Sequence, residues 1–418
     1  MSSTDTSSLG AVRGTALYVA AVLGPGILTL PALAAATAGP AFLLALVALL
    51  LLSVPLAHGF AGLGAGPGDP DRVDRSLPGH IGAAFGPRAG SVAAALFYVG
   101  VPPGVGALAL FGAGYLAALG SWVPPAPLVA AGLVVLVWGL NARGLRASAT
   151  TQVVLTGLLV LLVGVLVVGS APHFSSAHLH PVAPHGWGAL LPATFLLVWV
   201  ATGWEASANF ASSLQPRVRR RVVWSALGIV ASAFLGVSVT LVGVLGTDDL
   251  GGAPVATLLH RTLGPVALVV GVVLAVVLTV GNMSSYTASL GSLGATLPAL
   301  DRVPGGPLTV PSLIALGSIA ATAGHPGADG AATTLVGITA ASQVPVLLLG
   351  AAAAARTTTG WARVSATIAT GGVGLLLVPA APHLWAPALI ALGVALVQVR
   401  NLRDPRRVVA PGSCAPCG

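Results

Sequence analysis

The sequence contains no lysine and little charge of either sign. All 18 basic residues are arginine, 10 residues are acidic, and charged residues occupy 7% of the 418 positions, against about 25% in soluble proteins. A Walker A phosphate loop needs its lysine, so an ATPase site of that type is excluded. The pI near 10.9 does not indicate nucleic-acid binding, because the arginines lie in short loops between apolar runs.

Cysteine is almost absent as well. Cys414 and Cys417 form a C-x-x-C motif within the last five residues. Such a motif can serve metal or redox chemistry, but here we expect a disordered tail. We also expect no cleavable signal peptide, because the first apolar run lacks an A-x-A exit.

Apolar residues dominate what is present. They make up 56% of the chain, and the mean hydropathy is +0.95. A helix crosses a bilayer with about 20 apolar residues, and these runs are too long for barrel strands. The sequence therefore predicts an all-α membrane protein with about twelve transmembrane helices. We place spans 1 to 12 at residues 12–36, 40–64, 89–119, 126–142, 148–170, 188–212, 222–246, 265–297, 308–324, 329–355, 361–380 and 383–400.

The spans divide the chain into four predicted regions. A ten-helix core covers residues 12–355, and two additional helices lie in 356–400. Tails of residues 1–11 and 401–418 flank them, and we expect both tails to be cytoplasmic. With the N-terminus inside, Arg261 is the only arginine that falls outside, as the positive-inside rule favours. This predicts a multi-pass protein of the cell membrane.

Histidines occupy the predicted outer loops. His173, His178, His180 and His185 all lie between spans 5 and 6. A metal site there is one interpretation, but we favour a solvated loop.

Two spans carry interruptions in their middle. Span 1 contains Gly24-Pro25-Gly26, and span 6 contains Ala201-Thr202-Gly203-Trp204-Glu205. Proline and glycine break helices, and broken helices at membrane depth line cavities or pack inside protein. Breaks in spans 1 and 6 suggest two inverted five-helix repeats. The alternative is that these residues merely kink packing helices.

Such breaks can bind a zwitterion. Free N–H groups at a half-helix N-terminus suit a carboxylate, and unwound carbonyls suit an ammonium group. The pattern predicts a site for an α-amino acid. The candidate substrate-binding residues are Leu23, Gly24, Pro25, Gly26, Ile27, Val101, Pro102, Val200, Ala201, Thr202, Gly203 and Trp204.

Glu205 is the only glutamate in the chain and the only carboxylate placed away from the ends of a span. Because an intramembrane acid is costly, it is by default a functional candidate. It could carry a coupled proton, or it could bond neighbouring helix ends. Other polar residues in spans, His58, Asn209 and Gln343, are explained by helix–helix hydrogen bonds.

Motifs along the chain resemble the amino acid–polyamine–organocation (APC) superfamily. They include Gly24 to Pro31 with Ala38-Gly39-Pro40, Gly82 to Gly86, Gly203-Trp204-Glu205, and Leu297-Pro298. The short chain and Val101-Pro102-Pro103-Gly104 are most similar to the bacterial methionine and branched-chain amino acid exporters. Two features depart from the superfamily pattern: no acid precedes Gln215-Pro216-Arg217, and Ser292 stands where an arginine is common.

The resemblance implies a LeuT-like fold with broken helices 1 and 6, and secondary active transport of amino acids. Ser284 and Ser285 match the place where sodium-coupled members of this fold bind an ion, although serine is also common at tight helix contacts. The coupling ion is H⁺ or Na⁺, with H⁺ favoured, and no other cofactor is expected.

The expected substrate is a neutral apolar amino acid such as leucine, isoleucine, valine or methionine. No arginine lies deep in a span to pair with a second carboxylate. We expect efflux or exchange by alternating access; an importer of amino acids or amines is the alternative. A metal-ion transporter, a channel and an intramembrane enzyme are less favoured, because the spans lack the ligands, charge rings and catalytic motifs that these need.

Overall fold

The twelve spans expected from the sequence are present as helices. The structure is a computed structural model that describes residues 10–64, 76–144, 149–206, 208, 211, 214–247, 250–295, 303, 306–323 and 328–403. Within these ranges, eight helices are long and apolar enough to cross a membrane, and four shorter apolar helices complete the set. Asn209, Cys414 and Cys417 lie outside the described residues.

The observed bounds follow the predicted ones to within a few residues at most ends. The helices that form spans 1 to 12 are Ala11–Val22 with Leu30–Ala38, Phe42–Leu63, Pro87–Gly100 with Pro102–Ala117, Ala126–Ala142, Ala149–Ser170, Leu190–Leu196 with the 3₁₀ turns Leu197–Ala201 and Trp204–Ala206, Pro216–Leu245, Pro265–Gly294, Thr309–Thr322, Ala328–Thr357, Gly360–Leu375 and Trp385–Arg403.

Span 7 is the main correction to these bounds. The sequence placed its start at residue 222, with the arginines before it in a loop, but the helix begins at Pro216. Proline at a first helical position costs no hydrogen bond, so the helix extends past its apolar part into the polar region. Two further helices that were not predicted, Leu77–Phe85 and Pro254–Leu263, lie between spans.

Span 1 is broken at the predicted position. Its first half ends at Val22, Gly24 is fully extended, and a 3₁₀ turn covers Pro25–Leu28 before the helix resumes. The break frees carbonyl groups that lipid could not satisfy. The hydroxyl of Tyr115, from span 3, donates to the carbonyl oxygen of Leu28 at 2.8 Å. A neighbouring span therefore supplies the hydrogen bond that the interruption removed.

The histidine-rich loop is exposed, as expected of a solvated loop, and two of its histidines bond to helix ends. The Nδ1 of His178 donates to the carbonyl of Gly243 at 3.0 Å, and that of His185 to the carbonyl of Thr37 at 3.1 Å. Among the described residues, no group of three or more His, Cys, Asp or Glu could hold a metal ion. The loop thus ties spans 1 and 7 together at one end of the molecule.

Candidate functional site

A cavity of about 420 Å³ lies beside the two helix breaks. Its walls come from spans 1, 3, 5, 6, 8 and 10 and from the start of the helix Leu77–Phe85. A second cavity of about 30 Å³ lies against the break of span 1 and shares Ala21, Pro25, Asn282 and Tyr286 with the first. The larger volume falls in the range of small-molecule sites, about 300–1,000 Å³.

The break of span 6 is built around one glycine. Thr202 is extended, and Gly203 has a φ of +94°, in the region that favours glycine. A Cβ at position 203 would lie 2.9 Å from the Cα of Val22 and would overlap the carbonyl oxygen of Ala21. The two breaks therefore approach each other through Gly203, which brings both into one site.

Glu205 closes the same break. Its Oε2 accepts the backbone N–H of Gly203 at 2.7 Å, and the side chain also lines the larger cavity. A carboxylate that caps a broken helix fits the structural interpretation, and its place in the cavity wall fits the proton-linked one. The two roles are compatible in a single residue, because one carboxylate oxygen accepts the Gly203 N–H while the residue still lines the cavity.

Span 8 contributes a polar stripe of which the sequence analysis had singled out only Ser285, as an ion-site candidate. Asn282, Ser285, Tyr286 and Ser289 all line the larger cavity. Their spacing of i, i+3, i+4 and i+7 places them on one face of a helix. Asn282 lies closest to the break, since its Nδ2 would be 3.1 Å from a Cβ at Gly24. This spacing was visible in the sequence, as polar residues at helical intervals within an apolar span.

Most of the candidate substrate residues line one of the cavities. Leu23, Pro25, Val101 and Gly203 line the larger one. The smaller one is lined by a set that surrounds the span 1 break: Gly24, Pro25, Gly26, Ile27 and Thr202.

Four candidates line neither cavity. They are buried in the protein interior: Pro102, Val200, Ala201 and Trp204. Residues 197–201 form a 3₁₀ turn, in which side chains three apart share a face. Trp199 and Thr202 therefore face the smaller cavity, and Val200 and Ala201 point elsewhere. The sequence analysis expected every residue of the interruption to line the substrate site. In a 3₁₀ turn only every third side chain faces the cavity.

The two serines of the candidate ion site are both bonded to amides. Asn141 Nδ2, from span 4, donates to the hydroxyl of Ser284 at 3.0 Å. Gln152 Nε2, from span 5, donates to the hydroxyl of Ser285, which also lines the larger cavity. Each oxygen thus faces an N–H group, and the positive end of an N–H dipole is unfavourable for a neighbouring cation.

Gln343 also reaches the site. It is 7% exposed, lines the larger cavity and has an Oε1 with no hydrogen-bond partner among the described residues. The interpretation of Gln343 as a helix–helix hydrogen-bonding residue therefore does not account for this oxygen.

Charge in the larger cavity is confined to one residue. Of the side chains that line it, only that of Glu205 is ionisable as an acid or base at neutral pH. Most of the remaining wall is apolar and comes from leucines, alanines, Phe97 and Val101. The arrangement can hold a small molecule with a polar end at the breaks and an apolar side chain toward Phe97 and Val101 of span 3 and Leu155 and Leu159 of span 5.

The fold matches a solved transporter over almost its full length. A crystal structure of a mutant of the manganese transporter of Eremococcus coleocola superposes with a TM-score of 0.57. The match covers 94% of this chain and 93% of that one, at 17% sequence identity. At this identity the likeness concerns the fold alone, which is the expected LeuT-like arrangement with two added helices.

Relatives by sequence are permeases. The chain is 29% identical over 305 residues to the uncharacterized amino acid permease YecA of Bacillus subtilis strain 168, covering 70% of this chain and 69% of that protein. It is 33% identical over 210 residues to the L-methionine/branched-chain amino acid exporter YjeH of Escherichia coli K12. That second match spans 50% of this chain and about half (49%) of the relative.

A family model described as amino acid permease matches residues 9–294, which is more than half of the chain. The matched region contains both broken spans and the polar stripe of span 8. Proteins of this family are transporters embedded in the membrane and not enzymes. The chain therefore belongs to the amino acid permease family.

Proposed function

We propose that this permease carries neutral apolar amino acids, of the leucine, isoleucine, valine and methionine type, by alternating access. The observation that carries the proposal is the lining of the larger cavity, which is mostly apolar and contains Glu205 as its only acidic or basic side chain. The backbone around Gly24 to Gly26 would bind the α-carboxylate, and unwound carbonyls the α-amine.

The cavity lining argues against charged substrates. A second carboxylate, as in glutamate, would find no cationic side chain among the lining residues and would be desolvated without a partner. The side chain of a lysine substrate would find Glu205 as its single possible ionic partner. An apolar side chain instead gains about 0.8 kcal/mol for each methylene removed from water.

H⁺ is the proposed coupling ion. Glu205 supplies a protonatable group at the junction of the two breaks, whereas Ser284 and Ser285 both accept amide N–H groups. Sodium would require these oxygens to turn toward it and release their present partners.

Efflux or exchange is the proposed direction. The larger cavity extends to Ser76–Pro78 and to Leu290 and Leu293, at the end of the molecule where most arginines lie. That end is cytoplasmic in the proposed topology, so the site would load from the cytoplasm in this conformation. The similarity to YjeH, which is named an exporter, supports the same direction.

The test is counterflow in proteoliposomes that contain the purified chain. Labelled leucine should accumulate when unlabelled leucine, isoleucine, valine or methionine is trapped inside, because these substrates share the apolar subsite. Trapped glutamate or lysine should drive no accumulation. An imposed pH gradient should change the uptake rate, and an imposed sodium gradient should not.

Strong competition by glutamate, or by lysine over leucine, would overturn the proposed substrate class. Accumulation only under a sodium gradient would overturn the proposed ion. A carrier is distinguished from a channel in the same assay, because only a carrier is accelerated by substrate on the opposite side.

A further inference from the structure

The start of span 7 carries a cationic stripe on one face. Arg217, Arg220, Arg221 and Trp224 are exposed, and their spacing of i, i+3, i+4 and i+7 places them on a single face of the helix. The intervening Val222 and Val223 are buried. The stripe therefore points away from the protein, toward the surroundings of the helix.

Nothing in the described part of the chain neutralises this stripe. None of its three arginines forms an ion pair there, and the first turn of span 7 contains no acidic residue. A helix N-terminus already carries a partial positive charge, which disfavours cations. Arginines concentrated at this end are unfavourable unless an anion compensates them.

A further basic group, Arg13, lies close by. The start of span 1 packs on the start of span 7, since a Cβ at Gly14 would lie 3.1 Å from Val222. Arg13, directly before Gly14, is exposed. The positive charge thus extends from span 7 to the first half of span 1, the half that lines the cavity with Leu17 and Ala21.

Along the helix, the same face passes from arginines to a tryptophan and then to apolar surface. This is the order of the charged headgroup, the glycerol region and the acyl chain of a phospholipid. Trp224 is 49% exposed and contacts the His58 ring, with centroids 5.0 Å apart. Tryptophan in this setting marks the membrane–water interface. Gly228 continues this face and Ile229 lies exposed beside it, so the surface beyond Trp224 is apolar. At 1.5 Å per residue, the arginines lie about 5–10 Å on the polar side of Trp224.

Other arginines at this end are dispersed. Arg88, Arg143 and Arg363 are exposed on three different helix ends, and the Arg356 guanidinium lies over the Phe85 ring at 5.2 Å. Membrane orientation depends on the total number of arginines on a side. The concentration of three of them on one face of span 7 is not explained by orientation alone.

We propose that this face of span 7 is a binding site for an anionic phospholipid. The phosphate would contact Arg217, Arg220 and Arg221, the glycerol region would lie at Trp224, and an acyl chain would follow Gly228 and Ile229. Clusters of arginine next to a membrane helix bind anionic headgroups, with about 1 kcal/mol per arginine. A lipid held here also contacts the junction of spans 1 and 7 and stabilises the packing of the first half of span 1.

The test measures binding of fluorescent phosphatidylglycerol to the purified full chain in neutral-detergent micelles. Unlabelled phosphatidylglycerol should compete, whereas phosphatidylcholine and inorganic phosphate should not. Replacing Arg217, Arg220 and Arg221 with glutamine should weaken binding on the order of 100-fold, from the loss of three headgroup contacts. The matched control replaces Arg88, Arg143 and Arg363 with glutamine and should bind nearly as tightly as the unmodified chain.

Equal losses in the two triple variants would overturn the site, because the effect would then be one of net charge. Competition by inorganic phosphate as strong as that by phosphatidylglycerol would identify a free-anion site instead of a lipid site, and equal competition by phosphatidylcholine would remove the headgroup preference. If the cluster variant does not remain monodisperse, the single variant Arg220→Gln should still lose about fivefold. Lipid binding is measured without transport, so its result tests the lipid site independently of the proposed substrate.

Discussion

Glu205 combines a structural contact with access to the cavity. Its carboxylate accepts the N–H of Gly203 and faces the space between the breaks. Protonation of this group would change both the charge of the cavity and the strength of the cap. A single side chain can therefore link the protonation state to the geometry of span 6.

Replacing Glu205 separates these two functions. Glu205→Gln retains an oxygen that can accept the Gly203 N–H but cannot release a proton. We expect leucine exchange to continue while net uptake no longer responds to an imposed pH gradient. Glu205→Ala serves as the comparison and should lose most exchange as well, because the cap is gone. Unchanged pH dependence in the glutamine variant would assign Glu205 a structural role only.

Gly26 tests the carboxylate end of the site. A Cβ there would lie 3.0 Å from Leu30 and 3.6 Å from Trp199, and the residue lines the smaller cavity. Gly26→Leu should abolish substrate binding, because its side chain fills the space beside the break. Gly132→Leu is the matched control, since no atom lies within 4 Å of a Cβ at Gly132. Binding of labelled leucine to the two purified variants distinguishes them, and normal binding by Gly26→Leu would contradict the site.

At the scale of elements, the two broken spans depend on each other. Span 3 supplies the Tyr115 hydroxyl to the carbonyl of Leu28. The Ser53 hydroxyl of span 2 donates to its own helix at Leu49 and lies 3.4 Å from the carbonyl oxygen of Val200, a weaker shared contact. Gly203 then lets the break of span 6 contact the backbone of span 1. The interruptions persist because neighbouring elements satisfy the freed groups.

Gly203→Ala should disrupt this contact between the breaks. The positive φ alone costs about 1–3 kcal/mol for a residue with a side chain, and the new Cβ also overlaps the backbone of Ala21. We expect a lower unfolding temperature and loss of leucine binding. Gly264→Ala isolates the backbone effect, because Gly264 has a φ of +87° but no atom within 4 Å of a Cβ. That control should lose stability and keep binding; equal behaviour of both variants would contradict the role of close approach.

At the scale of the whole molecule, the distribution of charge predicts the topology. Arginines at the ends of spans 4 and 10 and at the start of span 7 lie on one side, and the histidine-rich loop lies on the other. A reporter that is active only outside the cell should be active after residue 186 and silent after residues 144 and 357. The reverse pattern would place the arginines outside and would contradict the cytoplasmic opening of the cavity.

The sequence by itself determined the class of the protein, the twelve spans and the positions of both interruptions. These follow from local chemistry, because lipid requires every backbone group to be bonded and makes each charge costly. Gly24-Pro25-Gly26 and Gly203 therefore mark the breaks whatever packs around them. Glu205 was identified for the same reason, as a carboxylate inside an apolar run.

Only the tertiary structure decided which side chains face the cavity. Asn282 and Tyr286 reach it because span 8 passes beside the break of span 1. Trp204 and Val200 miss it because the two 3₁₀ turns in which they lie direct them into the core. The partners of Ser284 and Ser285 come from spans 4 and 5, more than 130 residues away. Such contacts depend on how distant helices pack and on the local helical period, and neither is fixed by spacing along the chain.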